Sequence, residues 1–108
     1  MASTIRVWDG TMPTSETKLQ VSEVDYTPAE GKVFIMQGFY IYNNNASDKY
    51  GEIKLGATLL SGDKQIGTKE TKYEKNLNIP LVNGEYIYTK GEIVTDLQYR
   101  IWGVEIDE

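Results

Sequence analysis

The chain contains no cysteine and no histidine. Without cysteine there is no disulfide framework and no thiolate metal site. Without histidine the usual general base, the usual zinc ligand and the usual pH switch near neutrality are missing. Basic residues are outnumbered, 11 Lys and Arg against 16 Asp and Glu, for a formal net charge of −5. Attachment to phosphates through counterion release needs clustered Lys and Arg. Neither nucleic acid nor an anionic membrane is therefore an expected partner. No apolar run approaches the ~20 residues that cross a bilayer. Met1-Ala2-Ser3-Thr4-Ile5-Arg6 lacks the apolar stretch of a signal peptide. The expectation is a soluble protein made in the cytoplasm, with no cofactor.

Alanine (4) and leucine (7) are scarce beside 17 Ile and Val, 10 Thr and 8 Tyr. Branched and aromatic side chains suit a pleated surface, whereas alanine and leucine favour helices. At 108 residues the chain has the size of one domain, with enough buried surface for one core. Composition thus predicts an all-β domain over residues 1–108.

The pattern along the chain supplies the strands. Thr4 to Trp8 alternates, and Asp9-Gly10 reads as a turn. Residues 11–16 read as a loop. The segment 1–16 is either the first strand of the sheet or an arm reaching a neighbouring subunit. Leu19, Val21 and Val24 mark a second strand, and Pro28 with Gly31 makes a corner. Val33 to Tyr42 is the strongest strand. Its two faces, Val33, Ile35, Phe39 and Ile41 against Phe34, Met36, Tyr40 and Tyr42, are both apolar, which predicts a central position. Gly38 in its middle predicts a bulge or a close neighbour. Ile53, Leu55, Ala57 and Leu59 alternate as one half-buried strand. Ser61-Gly62-Asp63-Lys64 reads as a hairpin turn with Gln65 to Thr71 returning as an edge strand, and residues 70–77 read as a loop. Leu77, Ile79 and Leu81 form a short strand interrupted by Pro80, which fits an edge or a bulge. Asn83-Gly84 signals a type I′ hairpin into Tyr86 to Thr89. Leu97, Tyr99 and Ile101 alternate, then Trp102, Val104 and Ile106 follow on the other parity, so a bulge or twist is expected near Ile101-Trp102-Gly103. The sum is an antiparallel β-sandwich, jelly-roll or Ig-like, of about eight strands.

Chemistry has few candidates. Glu85, Glu92, Asp96, Glu105, Asp107 and Glu108 are the acids available for glycoside hydrolysis, which needs two carboxyls at a fixed separation across a cleft. Most of them fall at turns or near the C-terminus, so no catalytic residue is assigned and the expectation is a non-enzyme. Asn43, Asn44, Asn45, Ser47 and Asp48 are rich in oxygen but poor in charge for calcium. They read as a turn whose side chains bond their own backbone, and no metal site is expected. Aromatic residues carry more information. Phe34, Phe39, Tyr99 and Trp102 are assigned to the core. Trp8, Tyr40, Tyr42, Tyr86 and Tyr88 are the candidate interface. Tyr40 shares parity with Tyr42, as Tyr86 does with Tyr88, and outward aromatic stripes anchor protein contacts. Subunit packing is preferred over sugar binding.

Two stretches carry a family resemblance. Tyr26-Thr27-Pro28-Ala29-Glu30-Gly31-Lys32 leads into an apolar strand that closes on Asn43. Asn78-Ile79-Pro80-Leu81, Gly84-Glu85-Tyr86-Ile87 and Ile101-Trp102-Gly103-Val104-Glu105 follow. This series resembles small β-sandwich accessory proteins of tailed-bacteriophage virions, over about residues 17–106. There a Tyr-Thr-Val-Pro-Ala-Gly-Lys corner precedes the core strand. This chain departs by lacking the Val before Pro28 and carrying Glu30 before Gly31. The resemblance implies a head decoration or cement protein, or a head–tail accessory subunit. It also implies a place in the virion, capsid, collar or tail subunits as partners, and a homo-oligomer, with a trimer favoured. A carbohydrate-binding or host-recognition module of a tail or fibre is the alternative.

Overall fold

The computed structural model describes residues 3–62, 64–92 and 96–108. All of its regular elements are strands. They are β1 (Ser3–Thr11), β2 (Thr17–Lys18), β3 (Gln20–Val21), β4 (Val24–Asp25), β5 (Lys32–Asn43), β6 (Gly51–Leu55), β7 (Thr58–Leu59), β8 (Thr71–Glu74), β9 (Ile79–Val82), β10 (Ile87–Gly91) and β11 (Leu97–Asp107). No helix among the described residues is long and apolar enough to cross a membrane. One sheet has the order β1-β11-β5-β8, with β9 also on β5, and the other the order β2-β10-β6-β7. β3 and β4 form a separate hairpin. Every ladder is antiparallel. The protein is an all-β sandwich. Phe34, Met36, Phe39, Ile41, Leu97 and Ile101 from the larger sheet meet Ile53, Leu55 and Ile87 from the smaller one in the core.

β5 is central, as its apolar faces predict. β11 runs along one side of it, and β8 and β9 share the other side end to end. A bulge divides it. Met36 pairs with Gly103 and Gly38 with Trp102, so Gln37 is the extra residue. The Gln37 carbonyl accepts the Leu77 N–H at 2.9 Å, in the gap between β8 and β9. An extra residue inverts side-chain parity. Phe34 and Met36 before the bulge therefore share the core face with Phe39 and Ile41 after it. The two uninterrupted faces expected for Val33 to Tyr42 are corrected accordingly. Parity along β11 does not change: Leu97, Ile101, Gly103 and Glu105 are buried and Trp102, Val104 and Ile106 are half-buried on the other side. Trp102, expected in the core, is outward. It lies over Gly38, where a Cβ would overlap the indole, and Gly103 presses against the Ile35 carbonyl and the Phe34 ring.

Several turns fall elsewhere than their residues predict. Asp9 and Gly10 stay in β1, which pairs with β11 from Ser3 to Thr11. The first segment is thus a strand of the chain's own sheet. Ser22 and Glu23 take positive φ (52° and 68°), closing β3 on β4 in the manner of a type I′ turn without its usual Asn or Gly. The strand expected through Leu59 folds back after Leu55 instead, and β7 pairs with β6. Asp63 lies outside the described residues. Gln65 to Glu70 form no return strand, since only Ile66 bridges, to Lys49. The predicted loop 70–77 contains β8. Asn83-Gly84 does not make a hairpin, because β9 and β10 belong to different sheets. Only Gly84 of that pair has positive φ, 90°, as a type II turn requires at its third position. β9 does lie on an edge, with Pro80 opposite Ile35.

Replacement of Gly103 by Ala drives a methyl group into backbone and ring together. The expected loss is about 3 kcal/mol in a urea titration followed by far-UV circular dichroism. Gly38→Ala is expected to lift Trp102 from the sheet, read as a shifted tryptophan emission.

Candidate binding face and the polar clamp behind it

Outward residues of the larger sheet line up in cross-strand rows. Ser3, Ile106, Val33 and Val82 form one row, and Ile5, Val104, Ile35 and Pro80 the next. Val7 and Trp102 face each other beside Gly38. Asp9, Arg100, Tyr40 and Tyr73 follow. The first two rows and the Val7–Trp102 pair are mostly apolar, because Ile5, Val7, Val33, Ile35, Val82, Val104 and Ile106 fill outward positions of four adjoining strands. Ile5 is 79% exposed, Val7 53%, Tyr73 52% and Val82 40%. With strands ~4.8 Å apart and rows ~6.7 Å apart, the plate covers roughly 400–500 Å². Patches of that size on a protein surface are commonly functional.

The plate has an aromatic centre and a charged pair at one end. Tyr73 and Trp102 lie with ring centroids 6.2 Å apart, tilted by 47°. Ile5, Val7, Tyr40, Tyr73, Arg100 and Trp102 line a shallow hollow of about 370 Å³. At one end Arg100 Nη2 approaches Asp9 Oδ2 at 3.1 Å. The Lys32–Asp107 pair, Nζ to Oδ1 2.6 Å, stands at the far end of the sheet with core-side parity, off the plate. An apolar centre bordered by charge fits the ordinary build of a protein contact surface.

The five aromatic candidates part company. Tyr40 and Tyr42 are outward on the larger sheet. Tyr88 is outward on the smaller sheet, between Lys18 and Lys54, and the Lys18 ammonium sits 4.0 Å from the Tyr86 ring centroid. Trp8 turns to the core side, 5.1 Å from the Tyr26 ring and 5.6 Å from Phe34. Its indole N–H donates to the Gln20 carbonyl at 3.0 Å. Ile5, Val7, Tyr73 and Val82 were not singled out by sequence. Ile5 and Val7 fall in an alternating run, but alternation alone does not say which parity faces water, and Tyr73 falls in the segment read as a loop.

Behind the plate sits a polar clamp. The Tyr26 hydroxyl donates to Glu105 Oε1 at 2.5 Å, and Arg6 Nη2 lies 3.7 Å from the same oxygen. The Arg6 guanidinium is also 5.3 Å from the centroid of the Tyr26 ring. Glu105 is 8% exposed, so both partners offset the cost of burying its charge. Arg6 Nε is buried with no hydrogen-bond partner among the described residues. Burial holds the Tyr26 phenol well above its usual value, and the accepting carboxylate raises it further. Burial also raises Tyr99, helped by Asp9. Three further candidate acids accept hydrogen bonds in turns. Glu85 caps its own turn by accepting the Val82 N–H at 2.9 Å. Glu92 accepts the Tyr50 N–H at 2.8 Å, and Asp96 accepts an amide hydrogen of Asn45 at 2.7 Å. In the 43–48 turn, Asn43 donates to the carbonyls of Ser47 and Ile66 and accepts from the Asn45 N–H. No protein-family model, curated protein or solved structure matches this chain.

The clamp predicts an alkaline weakness. In the unfolded chain Tyr26 loses its proton near pH 10, whereas the folded phenol keeps it. The folded state then binds the additional proton, so stability is full below pH 10 and falls as pH rises above it. Urea midpoints should decline from pH 9.5 upward. Tyr26→Phe should flatten part of that decline and cost about 1–3 kcal/mol at pH 7, because Glu105 loses a donor.

Proposed function

We propose that this chain is a non-enzymatic structural subunit of a tailed-phage virion, a head decoration or head–tail accessory protein. It works by protein–protein contact. The observation that carries the reading is the outward plate of Ile5, Val7, Ile35, Tyr73, Val82 and Trp102, apolar on a sheet face that carries no further layer among the described residues. The plate is stiff because each row is tied by main-chain ladders on both sides of β5 and β11. Stiffness lowers the entropy lost on docking. The second support is the resemblance. Tyr26 and Glu105, one from each of the segments that carry it, meet in the clamp and hold the plate from behind. A sugar-binding module is the second reading, favoured by a hollow that gathers Tyr40, Tyr73 and Trp102.

Particles made by the genome that encodes this chain provide the test. The chain should co-purify with them through a density gradient. Tyr73→Lys or Val82→Lys, both exposed and both remote from the clamp, should lower occupancy about tenfold or more without moving the urea midpoint. Particles free of the chain, or occupancy unchanged by both variants, would remove the reading. Glycan binding lost in Tyr73→Ala would transfer it to the sugar-binding alternative.

A further inference from the structure

We infer that β1 is a homodimer edge, pairing antiparallel with β1 of a second copy about a two-fold axis at Val7. Among the described residues β11 is the one ladder partner of β1, which lies at the margin of its sheet. The Met12 N–H donates to the Leu97 carbonyl at 2.8 Å and continues the β1–β11 register. In an antiparallel ladder, alternate residues bond the same neighbour. The even-numbered residues of β1 therefore bond β11. Ser3, Ile5, Val7, Asp9 and Thr11 aim their N–H and C=O groups at the open side. A strand of 9 residues with such a row is a template for another strand.

The register selects a second copy as the occupant. A two-fold axis perpendicular to the sheet keeps like faces together, so opposed residues share parity. Centred on Val7, the whole of β1 overlaps. Ser3 then faces the partner's Thr11, Ile5 the partner's Asp9, and Val7 the partner's Val7. Arg6 falls beside the partner's Trp8, a cation next to an indole. Centring on Arg6 would set two guanidinium groups side by side. Centring on Trp8 would leave Ser3 and Thr4 overhanging. Val7 is thus the centre that combines full overlap with no like charges opposed. Such a contact buries roughly 800 Å² in total, the size of a reversible association, and about ten main-chain hydrogen bonds accompany it. The two apolar plates come to lie side by side on one surface. The inference goes beyond the proposed function and holds whatever the plate docks against.

Cysteine is absent from the chain, so single cysteines report the register cleanly. Directly opposed residues of a hydrogen-bonded pair have Cα atoms about 5.5 Å apart, within disulfide range. Position 5 and the partner's position 5 would be about 14 Å apart. Val7→Cys should therefore form a disulfide-linked dimer under mild oxidation and Ile5→Cys should not. Val7→Pro removes an N–H that the monomer leaves unused and keeps the site apolar. It should abolish the dimer in sedimentation equilibrium, while Val7→Thr should retain it. Tyr73→Lys and Val82→Lys, on the far side of the sheet, should leave the dimer intact, so failure of plate docking reads separately. A monomer at every concentration up to about 0.5 mM, or an Ile5→Cys protein that links as fast as Val7→Cys, overturns the inference.

Discussion

One extra residue in β5 organises the larger sheet. Gln37 has no partner on β11, and its carbonyl turns to Leu77 instead. Without that insertion the strand would carry Phe34 and Met36 into the core and Phe39 and Ile41 away from it. With it, all four are fully buried. The same insertion ends the β9 ladder at Met36 and lets the β8 ladder begin at Phe39. It also brings Trp102 flat over Gly38 on the outside while Gly103 closes on Phe34 inside. Two glycines are needed because two backbones approach with an aromatic ring between or beside them. The core, the edge strands and the outer aromatic cluster therefore depend on a single local irregularity.

The face produced in this way is apolar on a sheet that the fold leaves uncovered. Most sandwiches alternate apolar inward with polar outward residues. Here Val33, Ile35, Val104 and Ile106 add a second apolar layer on the outward side, half-buried by their neighbours. The clamp of Arg6, Tyr26 and Glu105 bears on this face from beneath, since Arg6 belongs to β1 and Glu105 to β11. A buried carboxylate held by a phenol and a guanidinium fixes how those two strands sit. Ile5 and Val7 on β1 are placed on either side of Arg6, so the clamp sets their height in the plate.

The function we propose rests on a surface. Glu85, Glu92 and Asp96 accept hydrogen bonds in turns, and Glu105 and Asp107 are ion-paired. The aromatic residues are split among the core edge, one sheet face and the other. What remains together is the stretch from β1 to β8, where branched side chains, Tyr40, Tyr73 and Trp102 form one contact plate. Its margin at β1 and the Asp9–Arg100 pair at one end give the plate a direction and a boundary.

Residue types and their alternation determined that the chain is all-β, that Val33 to Tyr42 is central, that Pro80 lies on an edge and that a bulge falls near Gly38 and Trp102–Gly103. These are local matters, set by steric preference, by a missing N–H and by the space a side chain needs. Tertiary structure alone decided which face of each strand meets the core, since a one-residue insertion reverses every side chain beyond it. It decided that Asn83-Gly84 joins two sheets, because turn chemistry fixes a reversal and not the partner of the strand that leaves it. It also decided that Ile5, Val7, Tyr73 and Trp102 share a surface. Those residues are remote along the chain, and only the hydrogen-bonded register between strands brings them side by side.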